Sequence, residues 1–215
     1  SNSSAASDVY KRQVMNDTKE RVSHVVVMGT GEPFDNYDHV MNFIRIINHP
    51  KGLAIGARHL TISTCGLCDK IEMYAHEGIQ SNLAVSLHAP NDEIRDELMP
   101  INKTYPMDKL RESLQYYIQK TNRRVTFEYI LLKGINDDIT HARQLAHYMR
   151  GLNAYVNLIP YNAVDEHGLQ QSSPYDVEIF KNELLRLKIN VTLRKEHGRD
   201  IDGACGQLRA KKVGE

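Results

Sequence analysis

Cys205 sits in the run Asp200-Ile201-Asp202-Gly203-Ala204-Cys205-Gly206-Gln207-Leu208, with small residues on both sides. A loop thiol with small neighbours is reachable and mobile, as a nucleophile or group carrier must be. An incidental surface cysteine is the alternative. Cys65 and Cys68 form a lone CxxC, a spacing found in redox pairs and in half of a zinc site. A zinc site needs further ligands, and Cys205 is the only other cysteine, so the pair reads as ordinary half-buried thiols without a role. Gly29-Thr30-Gly31-Glu32-Pro33 is a glycine turn bearing a carboxylate. Glycines let the backbone approach a ligand closely, and a carboxylate accepts hydrogen bonds from an ammonium. An ordinary strand-to-helix turn has the same look, and neither a P-loop nor GxGxxG is present. His88 could orient a ligand or move a proton, or sit satisfied in the core. Asn162 could bind through its amide or shape the turn after Pro160.

The elements that must position these residues follow from hydrophobic periodicity. Strands are predicted over Val22–Gly29, His59–Thr64, Asn82–His88, Val125–Leu132, Tyr155–Pro160 and Ile189–Arg194. Between them fall amphipathic helices. Val40, Phe43, Ile44 and Ile47 share one face of a helix that Pro50 and Gly52 end. A short helix runs to about His76, and two helical stretches follow His88, the second opened by Pro106 with Leu110, Leu114, Tyr117 and Ile118 in phase. Ala142, Leu145, Ala146 and Met149 mark the next. The last has Ser173 as N-cap, Pro174 as first residue, and an apolar face at Val177, Phe180 and Leu184. Strands alternating with helices predict an α/β fold with a parallel sheet and right-handed crossovers. Chemistry in such folds gathers at the carboxyl ends of the strands. Nearly every predicted strand here runs into glycine or polar residues: Gly29–Pro33, Ser63–Gly66, Ser86-Leu87-His88, Asn157 with Tyr161-Asn162, and Arg194.

Composition excludes several classes. The 215 residues, 41% hydrophobic and 25% charged, can bury a sizeable core, which argues against global disorder. No apolar run approaches the ~20 residues of a membrane span. The 27 basic and 27 acidic side chains rule out a uniformly basic nucleic-acid binder, though not a local patch. Three cysteines cannot form a disulfide framework and suit a reduced cytoplasmic setting. Residues 1–12 read as a tag or disordered start, and 13–215 as one domain or part of one.

Taken together, longer stretches carry a specific likeness: MGTGEPFDNYD (Met28–Asp38), LTISTCG (Leu60–Gly66), AVSLHAPNDEIRDELMPINKTYP (Ala84–Pro106), TFEYILLKGINDD (Thr126–Asp138), NLIPYN (Asn157–Asn162) and GRDIDGACGQL (Gly198–Leu208). In this order they resemble the radical S-adenosylmethionine dual-specificity RNA methyltransferase family, which makes 2-methyladenosine in 23S ribosomal RNA and certain tRNAs. The resemblance implies a partial (β/α)6 TIM-like barrel, of which this chain supplies the later strands. It implies S-adenosylmethionine contacts at Gly31, Glu32, Ser63, Ser86, Leu87, His88 and Asn162, and a methyl carrier at Cys205. In the family, one S-adenosylmethionine methylates the carrier sulfur. A second, at a 4Fe–4S cluster, yields the radical that activates the S-methyl group for addition to carbon 2 of adenine. A flavodoxin or ferredoxin reductant is implied as well.

The family's CxxxCxxC cluster motif, which precedes the GEP turn, is absent from these residues; Cys65 and Cys68 follow that turn with a different spacing. The expectation is a C-terminal portion of such an enzyme, inactive alone, with no metal ligands of its own. Two other readings stand beside it: a relative that methylates carbon 8 of adenosine, and a catalytically silent RNA-contacting module.

Overall fold

A parallel pair of strands cannot be closed by a tight turn and requires a crossover, which the amphipathic stretches supply. The computed structural model describes residues 19–29, 31–161 and 168–194, together with 13, 16 and 17. Its strands are β1 (Val25–Val27), β2 (Leu60–Thr64), β3 (Asn82–Ser86), β4 (Val125–Leu131), β5 (Ala154–Pro160) and β6 (Val191–Leu193). The helices are α1 (Tyr37–Asn48), α2 (Cys68–Ala75), α3 (Asp92–Leu98), α4 (Met107–Thr121), α5 (Ile139–Met149) and α6 (Pro174–Arg186). All six strands lie in one sheet in sequence order, and every pairing is parallel. Consecutive order winds the sheet in one sense, so it forms an arc of a (β/α) barrel. The α/β expectation holds.

Alternation along the strands separates two faces. Ile62, Leu83, Val85, Phe127, Tyr129, Val156 and Leu158 are completely buried on the outer face. They join Ile44, Ile71, Leu110, Leu114, Leu145, Phe180 and Leu184 of the helices in one core. Each such side chain contributes roughly 1.5–3 kcal/mol by leaving water. Local signals start the helices where needed. Asn91 accepts from the Ile94 N–H (2.9 Å), Asp138 from His141 (2.9 Å) and Ser173 from Asp176 (3.1 Å). Helix α1 stops at Asn48 because His49 precedes Pro50 and is extended, ψ 133°.

Several boundaries differ from expectation. The Val22–Gly29 run forms a strand only at Val25–Val27, and Val26 is 60% exposed. It is half exposed rather than buried because, within the described residues, only β2 pairs with it. Strand β3 ends at Ser86, since His88 takes a left-handed backbone (φ 56°) that breaks the ladder. His59 belongs to a 3₁₀ turn, and β6 is shorter than Ile189–Arg194. Pro106 caps α4 instead of opening it. The buried face of α1 is Tyr37, Met41, Ile44 and Ile47, leaving Val40 and Phe43 half-buried. No helix among the described residues is long and apolar enough to cross a membrane.

Candidate functional site

The turn after β1 is shaped by glycine and held by its own acid. Gly31 has φ +96°, and a Cβ added there would meet nothing within 4 Å, leaving its backbone open to an approaching group. Glu32 Oε1 accepts the Phe34 N–H (2.9 Å), capping the 3₁₀ turn Pro33–Asn36. Its Oε2 accepts the Cys65 N–H (2.6 Å), tying this turn to the end of β2. Glu32 is therefore a staple between strand ends as well as a candidate acceptor. Each carboxylate oxygen keeps a further lone pair for a ligand.

Ser63 and Ser86 stand on the inner face, alternating with buried outer residues, and are half-buried. Neither hydroxyl hydrogen-bonds to another described side chain or main-chain group. Leu87 differs. Its side chain is fully buried in the core and its N–H donates to the Glu128 carbonyl (3.1 Å), which leaves only its own carbonyl open to a rim ligand.

His88 is fixed by its neighbours. Its Nδ1 accepts the Ile130 N–H (3.2 Å), which places the proton of the neutral ring on Nε2. Its carbonyl accepts Asn136 Nδ2 (2.7 Å), and Asn136 also donates to Ile130 O (2.8 Å) and accepts the Leu132 N–H (2.8 Å). Burial, with a smaller push from the Arg95 charge, lowers the His88 pKa to about 4. The ring is thus a neutral donor at neutral pH.

Beside these lies a transverse row that composition did not flag. Ser86, Glu128, Asn157 and Thr192 share one register level across β3 to β6. Asn157 Nδ2 donates to Glu128 Oε2 (2.9 Å), and Thr192 Oγ1 donates to Asn157 Oδ1 (3.0 Å). Burial raises the Glu128 pKa, against the Asn157 hydrogen bond and the Arg194 charge.

Arg95, Asn102, Asn136 and Glu128 are the residues sequence reading missed. Arg95 lies in the acid-rich run Asp92–Leu98, where a charge is ordinarily solvated, yet it is completely buried. Asn136 looks like a turn residue in Gly134–Asp138. The available signal was the apolar Ile94 and Leu98 on that short helix, which the structure leaves half-buried on either side of Arg95.

The CxxC pair behaves as ordinary thiols. Cys68 is buried in the core and donates to Gly66 O (3.7 Å). Burial, with the Glu32 carboxylate beside it, pushes the Cys65 pKa up to about 12. Burial raises Cys68 too. No group of three or more His, Cys, Asp or Glu among the described residues could hold a metal ion. These residues therefore do not fit a 4Fe–4S cluster. The rim does fit S-adenosylmethionine: an acceptor carboxylate, two uncommitted hydroxyls, an imidazole donor and an open glycine turn match a ligand with ammonium, hydroxyl and ring nitrogen groups. Cys205 and Asn162 lie outside the described residues.

Known proteins give this arrangement a context. Residues 6–146 match the model of the Radical SAM superfamily. The probable dual-specificity RNA methyltransferase RlmN of Geobacillus kaustophilus is 56% identical over 204 residues, covering 95% of this chain and 56% of that relative. The protein of the same name in Spiroplasma citri is 60% identical over 197 residues, covering 92% of this chain and 56% of its own length. The chain thus spans little more than half the length of these curated relatives. The crystal structure of a radical SAM methyltransferase from Sphaerobacter thermophilus superimposes with a TM-score of 0.91 at 41% identity, over 96% of this chain and 60% of that one. A domain of pyruvate-formate lyase-activating enzyme from Bacteroides vulgatus shares the fold alone, at TM-score 0.62 and 14% identity, over 81% of this chain and 100% of its own. A parallel arc with a polar inner rim, matched by the superfamily model over most of its length, identifies the chain as a member of the radical SAM superfamily.

Proposed function

We propose that this chain is the later part of the catalytic barrel of an RNA methyltransferase that adds a methyl group to carbon 2 of adenosine in 23S ribosomal RNA and tRNA. The observation that carries this reading is the gathering of Glu32, Ser63, Ser86 and His88 around the carboxyl ends of β1, β2 and β3. The relatives at 56% and 60% identity favour the dual-specificity carbon-2 reading over carbon 8.

Within this reading, S-adenosylmethionine supplies the methyl group, and a 4Fe–4S cluster held by residues outside this chain belongs to the whole enzyme. Glu32 takes the ligand ammonium on its remaining lone pairs, and the Gly31 backbone lies against the same end. Ser63 and Ser86 bond the polar edges of the ligand. His88 donates from Nε2 while its Nδ1 stays bound to Ile130. Leu87 contributes main chain and Asn162 its amide. Cys205 carries the methyl group, because carbon 2 of adenine is too poor a nucleophile to take it directly, whereas a thiolate is a strong one. The partners are the two RNA substrates and a reductant such as flavodoxin or ferredoxin, and the setting is the cytoplasm.

The test is Cys205→Ala in the full-length enzyme, assayed anaerobically with S-adenosylmethionine, reductant and RNA, with methylated nucleosides resolved by mass spectrometry. Wild type gives 2-methyladenosine and the variant none. Unchanged product in the variant rejects the carrier role, and 8-methyladenosine from wild type rejects the carbon-2 assignment.

A further inference from the structure

The largest fully buried side chain among the described residues is not apolar. Arg95, from α3, has no exposed surface. Within the described residues no carboxylate forms an ion pair with it, which is uncommon because a buried charge costs several kcal/mol unless well bonded. Its bonds go mainly to the rim. Nη2 donates to the carbonyl of Cys65 (2.8 Å), just beyond β2, and approaches the carbonyl of Ser86 (3.4 Å), the last residue of β3. Nη1 donates to Asn102 Oδ1 (2.9 Å). Asn102 in turn donates from Nδ2 to Asp92 Oδ1 and Asp96 Oδ1, both at 2.8 Å, so the acids balance the guanidinium at one remove. Nε is buried without a partner.

The main chain of Cys65 completes the connection. Its N–H goes to Glu32 and its C=O to Arg95, so the ends of β2 and β3 meet at one cation and the turn after β1 is tied to it through Cys65. Gly66, at φ +105°, packs so closely that an added Cβ would lie 3.3 Å from Arg95 Nη2. The forked guanidinium is what spans two carbonyls and an amide at once; a lysine ammonium is a single point and cannot reproduce that fan.

We propose that Arg95 is the positioning residue of the rim, holding Glu32, Ser63 and Ser86 at the mutual spacing that a sulfonium nucleoside such as S-adenosylmethionine requires, while touching no ligand itself. This rests on the S-adenosylmethionine reading of the rim for its ligand, but not for its geometry.

The experiment compares wild type, Arg95→Lys and Leu184→Ala in the full-length enzyme with its cluster reconstituted. Leu184 is a core residue of α6 remote from β2 and β3, and its truncation reports lowered stability alone. Two quantities are measured: binding of labelled S-adenosylmethionine by equilibrium dialysis, and hydrogen exchange of the Cys65 amide. Arg95→Lys is expected to weaken binding at least about tenfold and to speed Cys65 exchange by a similar factor, with Leu184→Ala near wild type in both. If Arg95→Lys keeps wild-type affinity and wild-type Cys65 protection, the positioning role is overturned. Equal losses in Arg95→Lys and Leu184→Ala overturn it too, because general destabilisation then accounts for them. If wild type binds no S-adenosylmethionine while Arg95→Lys alone loses Cys65 protection, the ligand reading fails and the anchor stands.

Discussion

The two faces of the sheet are written by the same strands and obey different rules. On the outer face Ile62, Val85, Phe127 and Leu158 are completely buried against helices. One residue along, the inner face carries Ser63, Ser86, Glu128 and Asn157. Parallel sheets covered on both sides ordinarily read as unbroken apolar runs. Here alternation survives into the middle strands, and Thr126, Glu128 and Asn157 give the inner face a polar character despite Ala84 and Ile130. Apolar packing lies on one side of each strand and most of the polar side chains on the other, with a single residue step between them.

That division is testable by substitutions a few residues apart. Phe127→Ala on the outer face, where the ring also packs 5.9 Å from Tyr148, should cost about 3–5 kcal/mol in denaturant unfolding. A loss below about 1 kcal/mol would show that this face is not the stabilising one.

The next effect comes from the rim histidine and depends on pH. The folded His88 pKa, about 4, lies below the ordinary value of 6.5, so the unfolded chain binds the proton first. Stability from this group is full above about pH 6.5 and falls as pH drops towards 4, by up to about 3 kcal/mol. His88→Gln, which keeps an acceptor for the Ile130 N–H, should remove that part of the slope. Identical pH profiles for the two proteins would show that the His88 pKa is the same in the folded and unfolded chains.

The smallest stability effect is expected from Ser86→Ala, within about 0.5 kcal/mol of wild type, because its hydroxyl has no partner among the described residues. The same change should weaken S-adenosylmethionine binding severalfold by dialysis. The reverse pattern, lost stability with intact binding, would move Ser86 from the recognition side to the structural one.

Much of the fold was legible beforehand. The strands and helices announced themselves through β-branched runs and apolar periodicity, and Ser173 and Pro174 marked the start of α6 as read. The rim was legible in part. Glu32, Ser63, Ser86 and His88 stand at strand ends, but Glu32 proved to be a bridge to Cys65 as well, and Leu87 a core residue. The edge valines of β1 misled because burial depends on having neighbours on both sides, which a local pattern does not encode.

The amino-acid order alone determined the succession of elements, the face each side chain takes on its strand, and the motifs that carry the superfamily likeness. These depend on residue type and spacing over a handful of positions. Only the tertiary structure decided that Arg95 is buried beneath the rim, that Cys65 lies between it and Glu32, and that Asn136 braces the left-handed turn at His88. Those contacts join residues about 30 to 50 positions apart. A charge in an acid-rich helix looks solvated until the fold brings carbonyls to it and removes the water.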